Sequence, residues 1–214
     1  MSSPSTVSGK EKRPPQLVIF DLGNVVFRLD WQPLLAIWSA ASGVPAARVA
    51  ERLRGFDALD EFDRGQVSPA DFHRRFCVWL GADFSYADFE RGWNAIYDAP
   101  MPGIGEMLAK LRTRARVVGF TNTNIVHCRV WPELYRAELA HFERIFVSCE
   151  MGLRKPEPES YAQVLGQCGV TAAEAAFFDD TRENVAAAQA LGIRSVLVDS
   201  PEAVTAGLAQ FGLL

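Results

Sequence analysis

Apolar residues arrive along this chain in two spacings. Leu17–Phe20 is an unbroken run of four, rich in β-branched residues, and further short apolar stretches occupy 115–120, 144–148, 175–178 and 194–198. Unbroken runs of that length predict strands buried on both faces, because alternation is lost when neither face meets water. Segments 105–114, 157–168 and 182–191 instead place apolar residues three and four apart, the period of a helix with one buried face. Strands alternating with helices predict an α/β fold, a doubly wound parallel sheet with helices on both faces.

The segment 31–99 interrupts that alternation. Leu34, Leu35, Ile37 and Trp38, then Phe72, Phe76, Val78 and Leu80, then Phe89, Trp93 and Ile96 recur at helical intervals. They predict a helical cap inserted after the first strand, so that 16–30 and 100–214 form one Rossmann-like core and 31–99 the cap. Pro33, Pro100 and Pro102 restrict the chain where it leaves and rejoins the core, and both places read as hinges. Residues 1–15 are rich in Ser, Lys and Pro, lack the apolar stretch of a signal peptide, and read as a flexible tail.

A chain of 214 residues can bury one substantial core and carry an insertion on it. Its formal net charge of −4 supplies no basic field, which argues against nucleic acid or an anionic membrane and for a small-molecule partner. No apolar stretch approaches the roughly 18 residues of a membrane span. Cys77, Cys128, Cys149 and Cys168 form neither a CxxC pair nor a zinc spacing with His73, His127 or His141. They read as reduced thiols of a cytoplasmic protein.

In an open parallel sheet, ligands bind beyond the carboxyl ends of the strands, so polar residues directly after the apolar runs are the candidates. Asp21 follows the first run, and Gly23 and Asn24 beside it tolerate turns that aim backbone groups at an anion. Its carboxylate could hold a metal or attack phosphorus, although a lone Asp there is also an ordinary turn residue. Thr121-Asn122-Thr123-Asn124 follows the second run and offers donors to phosphate oxygens, or caps a helix. Lys155, in a loop stiffened by Pro156 and Pro158, brings a point charge suited to a phosphoryl group or a carboxylate. Asp179 and Asp180 close another run, and adjacent carboxylates repel unless a cation or hydrogen bonds compensate. A hard divalent ion suits them, with helix capping by Asp180 or Thr181 as the competing explanation.

The order Asp, Thr-Asn, Lys, Asp-Asp is more specific than any one of its members. With it, the sequence resembles the haloacid dehalogenase-like (HAD) superfamily from Leu17 to its end. The stretches Phe20-Asp21-Leu22-Gly23-Asn24-Val25-Val26, Thr121-Asn122-Thr123-Asn124, Trp131-Pro132-Glu133, Gly152-Leu153-Arg154-Lys155-Pro156-Glu157 and Phe177-Phe178-Asp179-Asp180 look like a bacterial sugar-phosphate phosphatase branch. That branch includes an α-D-glucose-1-phosphate phosphatase, and the phosphatase domain of soluble epoxide hydrolases is similar more distantly.

The resemblance implies a magnesium-dependent phosphatase acting on a small phosphate ester, with a sugar phosphate as the leading substrate. Asp21 would be the nucleophile and form an aspartyl-phosphate. Mg2+ would rest on Asp21, the Gly23 carbonyl and Asp180, supported by Asp179. Thr121 and Asn122 would hold phosphate oxygens, Lys155 would neutralise charge, and Asn184 would orient the Asp179-Asp180 loop or Lys155. In the cap, Trp31, Asp57, Glu61, Arg64 and Trp93 could face the entrance and read a sugar, and a solvated helix face with buried tryptophans explains them equally well.

The sequence departs from the family pattern at Gly23, where most phosphatases of the superfamily carry a second Asp that protonates the leaving oxygen and later activates water. Losing a general acid forfeits about 10²- to 10⁴-fold in rate. His127 or a bound water is a candidate replacement. Two other readings stay open: a 2-haloacid dehalogenase, which shares the nucleophile and needs no metal, and a catalytically weakened binding protein of the same fold.

Overall fold

The computed structural model of the protein describes residues 13–214. β1 (Leu17–Phe20) and a short β2 (Phe27–Leu29) precede five helices: α1 (Gln32–Ser42), α2 (Ala46–Arg54), α3 (Ala58–Asp63), α4 (Pro69–Leu80) and α5 (Tyr86–Asn94). β3 (Tyr97–Pro100) and α6 (Ile104–Leu111) lead into β4 (Arg116–Thr121), which is followed by the short helices α7 (Ile125–Cys128), α8 (Trp131–Leu134) and α9 (Arg136–Leu139). Next come β5 (Arg144–Val147), α10 (Ser148–Met151), α11 (Pro158–Cys168), β6 (Ala175–Asp179), α12 (Arg182–Ala190), β7 (Arg194–Leu197) and α13 (Pro201–Gln210).

The main sheet is parallel in the order β5-β4-β1-β6-β7, with Val18 of β1 in register with Val117 on one side and Ala176 on the other. Central β1 is apolar throughout because successive side chains point to opposite faces and both faces are covered. Val18 and Phe20 pack with Leu108 and Leu111 of α6 and Leu208 of α13, whereas Leu17 and Ile19 pack with Tyr161 and Val164 of α11 and Ala188 of α12. The chain builds outward from β1 through β4 and β5, then crosses to β6 and β7. The carboxyl ends of β4, β1 and β6 therefore open on the crevice where strand order reverses.

Helices α1 to α5 enclose a separate aromatic core containing Trp38, Phe62, Phe72, Phe76, Phe89 and Trp93. Burying each such ring stabilises by about 1.5–3 kcal/mol. Trp38 and Trp93 stack at 5.4 Å, and Gly92 is fitted to that approach, since a Cβ there would lie 2.4 Å from the Trp38 ring. Ser68 and Ser85 start α4 and α5 by accepting hydrogen bonds from the Asp71 and Asp88 backbone N–H groups.

Two short strands flank the helical segment: β2 ends just before the expected hinge at 30–33, and β3 overlaps the start of the one at 98–103. β2 and β3 are antiparallel, with Phe27 opposite Pro100 and Leu29 opposite Tyr97, and form a two-stranded neck beneath the helices. Strands of three and four residues with mixed polarity carry too little pattern to be read as strands. Of the expected tail, residues 1–12 lie outside the described residues. Pro15 is buried, Gln16 N–H donates to Glu174 O at 2.8 Å, and Arg194 donates to the Arg13 carbonyl, so residues 13–15 are held to the sheet edge. Among the described residues no helix is long and apolar enough to cross a membrane.

Candidate active site

A cavity of about 510 Å³ lies between the strand ends and the cap. Its floor is organised around Lys155, whose side chain is 1% exposed. The Nζ group donates to Asp21 Oδ1 at 2.9 Å, to Asp179 Oδ2 at 2.6 Å and to the Phe120 carbonyl at 2.8 Å. These three partners come from the ends of β1, β6 and β4, and they use all three ammonium protons. A lone buried cation of this kind would be costly, and two carboxylates make it tolerable. The charge of Lys155 is accordingly held above its ordinary range, with burial opposing and Asp21 and Asp179 favouring it.

Asp179 is fully buried and saturated. Its Oδ1 accepts from Thr181 N–H at 2.8 Å and Asn184 Nδ2 at 3.0 Å, and its Oδ2 accepts from Lys155 and from Asn184 at 3.2 Å. It anchors Lys155 rather than turning to the cavity, and Asn184, also buried, orients it. Burial pushes the Asp21 carboxyl up to about 7, with Lys155 pulling down and Asp179 adding to the rise. Lys155 occupies one Asp21 oxygen; the second has no protein donor among the described residues.

The loop after β1 is closed by Asn24 N–H to Phe27 O at 2.7 Å and Phe27 N–H to Leu22 O at 3.1 Å, without using the Gly23 carbonyl. Asn24 has φ 56°, a left-handed conformation that Asn tolerates better than most residues. Its side chain accepts from Leu29 N–H at 3.1 Å and donates to Asp180 Oδ2 at 2.9 Å, tying the loop after β1 to the acidic loop. In the sequence Asn24 shows only its tolerance of turns, because the Asp180 partner that gives it this role lies 156 residues away. At Gly23 a Cβ would lie 2.7 Å from Leu29 Cδ1, so the place of the missing acid is filled by a leucine.

Thr121 ends β4 and lines the cavity with Asn122, whose side-chain amide serves the Lys155 loop. The amide is engaged at both ends with the Lys155 backbone, accepting from its N–H and donating to its carbonyl, each at 2.9 Å. It fixes the loop that presents Lys155. Ser148, absent from the sequence reading, clasps the same turn by accepting from Thr123 N–H and donating to Thr123 O.

His127 reaches the cavity wall with its ring already bonded to the cap. Its Nε2 donates to Trp93 O at 3.0 Å, and burial pushes its pKa down to about 4, so the ring is neutral at pH 7. Trp93 is likewise buried and donates to Asn124 Oδ1 at 3.1 Å, whereas Trp31 is 42% exposed at the cavity. Glu61 pairs with Arg75 on the cap surface, and neither it nor Asp57 lines the cavity.

Arg64 belongs to the contact between cap and core. It forks onto both carboxylate oxygens of Glu157, while Arg154 of the core pairs with Asp60 of the cap, so charge runs in both directions across the seam. Arg64 and Glu157 are mostly shielded from water, and a fork of that kind outlasts an ordinary surface pair. Arg64→Ala should loosen the seam, raising KM several-fold with little change in kcat and increasing proteolytic cleavage near the neck. Unchanged KM and cleavage would assign the fork a purely local role.

The donor set fits a divalent cation. One carboxylate oxygen each from Asp21, Asp179 and Asp180 lies within 4.8 Å of the others. When all three carboxylates are ionised they outnumber the single Lys155 ammonium, a surplus of negative charge that a divalent cation would offset. With Asp179 saturated, the oxygens that could hold such an ion are those of Asp21, Asp180 and the Gly23 carbonyl, a set suited to Mg2+.

Residues 15–192 match a family profile described as haloacid dehalogenase-like hydrolase. The chain is 30% identical over 182 residues to a sesquiterpene phosphatase of Aspergillus oryzae, covering 82% of this chain and 85% of that protein. It is 26% identical over 216 residues to flavin mononucleotide hydrolase 1 of Arabidopsis thaliana, covering 99% and 83%. Among solved structures it resembles a HAD family enzyme of Bacteroides thetaiotaomicron crystallised as a magnesium complex. The TM-score there is 0.75 and the identity 26%, over 86% of this chain and 93% of that one.

Proposed function

The chain belongs to the haloacid dehalogenase-like hydrolases, and on that footing we propose that it is a magnesium-dependent phosphomonoester hydrolase working through an aspartyl-phosphate at Asp21. The reading rests on one observation: the Asp21 carboxylate meets the Lys155 ammonium at 2.9 Å on the cavity floor, inside a cluster with Asp179 and Asp180 that carries surplus negative charge. A dehalogenase needs no cation, and such a surplus is a poor setting for metal-free chemistry on an anionic substrate.

Asp21 attacks phosphorus with the oxygen that Lys155 does not occupy, the ester oxygen leaves on the far side, and water then opens the acyl-phosphate. Lys155, fixed by Asp179 and Phe120 O, balances the charge of nucleophile and phosphoryl group without having to reorganise. Thr121 stands at the end of β4 to meet a phosphoryl oxygen, and Asn122 keeps the Lys155 loop in place. Asp21, Asp180 and the Gly23 carbonyl would hold a divalent cation, whose positive charge would let two anions approach each other.

The substrate is a small phosphorylated metabolite. Leu29, Trp31, Leu59, Ile96 and Tyr97 line the cavity beside the polar floor, which suits a leaving group with an apolar or planar face as well as a sugar. The relatives named for flavin mononucleotide and sesquiterpene substrates point the same way. A panel should therefore contain sugar phosphates, flavin mononucleotide and a prenyl phosphate.

With p-nitrophenyl phosphate and Mg2+, the protein should release phosphate, and chelation should lower the rate by about 10²-fold or more. Phosphate release unaffected by chelation would overturn the metal requirement. Halide release from a 2-haloacid under chelation, with no phosphate release, would establish the dehalogenase reading in its place.

A further inference from the structure

Position 23 cannot supply the acid, and its space is filled by Leu29. The other titratable groups around the cavity are Asp63, Tyr97, His127, Arg154, Lys155, Asp180 and Glu183. Lys155 has spent its protons on Asp21, Asp179 and Phe120 O, and His127 has spent its Nε2 proton on Trp93 O. Burial pushes the Tyr97 hydroxyl well above its ordinary range, so it gives up its proton reluctantly. Asp180 is bonded to Asn24 and Thr181 and belongs to the cation set. Glu183 is exposed on the first turn of α12, on the core side.

Asp63 differs from all of these. It is the last residue of α3, comes from the cap, and is only 8% exposed while still lining the cavity. Its hydrogen bonding is meagre: Asn124 Nδ2 lies 3.4 Å from Oδ1, and Arg154 Nη2 lies 4.0 Å from Oδ2. A carboxyl so poorly solvated keeps its proton to unusually high pH; burial pushes Asp63 up to about 6, against Arg154 and Asn124 and with Asp60 adding slightly. Geometry supplies the rest. In-line displacement puts the leaving oxygen opposite the nucleophile, and the side of the cavity opposite the strand ends is the cap.

We propose that Asp63 is the general acid and base of the reaction, taking from the cap the role that position 23 cannot fill. This rests on the phosphatase reading above. In the first step an Asp21 oxygen bonds to phosphorus, the P–O bond to the alcohol breaks, and the Asp63 carboxyl passes its proton to the departing oxygen. In the second, the Asp63 carboxylate takes a proton from water as that water's oxygen bonds to phosphorus and the bond to Asp21 breaks. Asp63 ends protonated, Asp21 ionised, and the ester has become alcohol and hydrogen phosphate. Delivery from the cap also couples chemistry to closure, since Asp63 stands one residue from the Arg64–Glu157 fork.

The test compares phenyl phosphate, whose leaving phenol needs a proton, with p-nitrophenyl phosphate, whose leaving group does not, both with Mg2+. Asp63→Asn should lower kcat on phenyl phosphate about 10²- to 10³-fold. On p-nitrophenyl phosphate it should give a burst of about one nitrophenol per enzyme followed by a stall, because the acyl-phosphate forms but water is not activated. Asp63→Ala, which has no amide to pair with Asn124, should show the same split, and Glu183→Gln should not. Equal losses on both esters without a burst, no loss at all, or the split appearing in Glu183→Gln would each overturn the assignment to Asp63. If the unaltered protein releases phosphate from neither ester, it is the phosphatase reading that fails.

Discussion

Asp21→Asn is expected to abolish phosphate release, with kcat falling by at least about 10⁴-fold, the scale seen when a covalent nucleophile is removed. The substitution keeps the shape of the side chain but takes away the charge and the attacking lone pair. Its effect on folding should be small or favourable. Burial has already pushed the Asp21 carboxyl up to about 7 in spite of Lys155, so the ionised form costs the fold something, and a neutral amide removes that cost. A thermal melt in chelator should therefore match or exceed that of the unaltered protein. Loss of activity with an intact melt locates the defect in the chemistry. Full activity in Asp21→Asn would mean that no aspartyl-phosphate forms, and the covalent mechanism would have to be abandoned.

Lys155→Met carries the second large effect, and here stability and activity fall together. Methionine fills much of the lysine stem's volume but leaves Asp179, fully buried, without its cation, and leaves the Phe120 carbonyl without its 2.8 Å donor. Breaking a buried pair from one side costs about 3–5 kcal/mol. In a domain of this size that corresponds to a drop in Tm on the order of 10 °C. The rate should fall about 10²- to 10³-fold as well, because a fixed charge aimed at the phosphoryl group is lost. A double variant, Lys155→Met with Asp179→Asn, should regain part of the stability and none of the activity. Wild-type stability in the single variant would show that Lys155 is not the electrostatic keystone of the floor.

Much of this site was legible because its chemistry sits at the ends of unbroken apolar runs. Asp21, Thr121, Asp179 and Asp180 each close such a run, and a parallel sheet brings those ends to one edge whatever the loops do. Lys155 was found through its motif, but its triple anchoring to β1, β4 and β6 was not visible. The supporting bonds of Asn24, Asn122 and Ser148 are not legible in the sequence for one reason: each is made to a partner between 25 and 156 residues away. His127 stands three residues after Asn124, and only the tertiary structure shows its Nε2 bonded to the carbonyl of Trp93 from the cap.

Asp63 illustrates the limit best. In sequence it stands among Asp60, Glu61 and Arg64, a charged stretch that reads as the solvated face of a helix. Nothing in its local pattern announces burial, because α3 is short and the surfaces that enclose Asp63 come from Asn124 and Arg154 of the core. The neck strands β2 and β3 escaped for a related reason, being too brief for periodicity and existing only by pairing across about 70 residues.

The sequence by itself determined the alternation of buried strands and amphipathic helices, the place of the helical insertion, and the order in which the carboxylates and the lysine meet the sheet edge. Those features depend on local periodicity and on chain order, which a linear pattern carries. Tertiary structure alone decided which polar groups are free and which are spent: Asp179 and Asn122 are tied into supports, His127 is neutral, the space beside Gly23 is closed by Leu29, and a cap carboxyl hangs over the cavity nearly unsolvated. Protonation state and hydrogen-bond saturation are properties of an enclosed environment, and that environment exists only once cap and core have met.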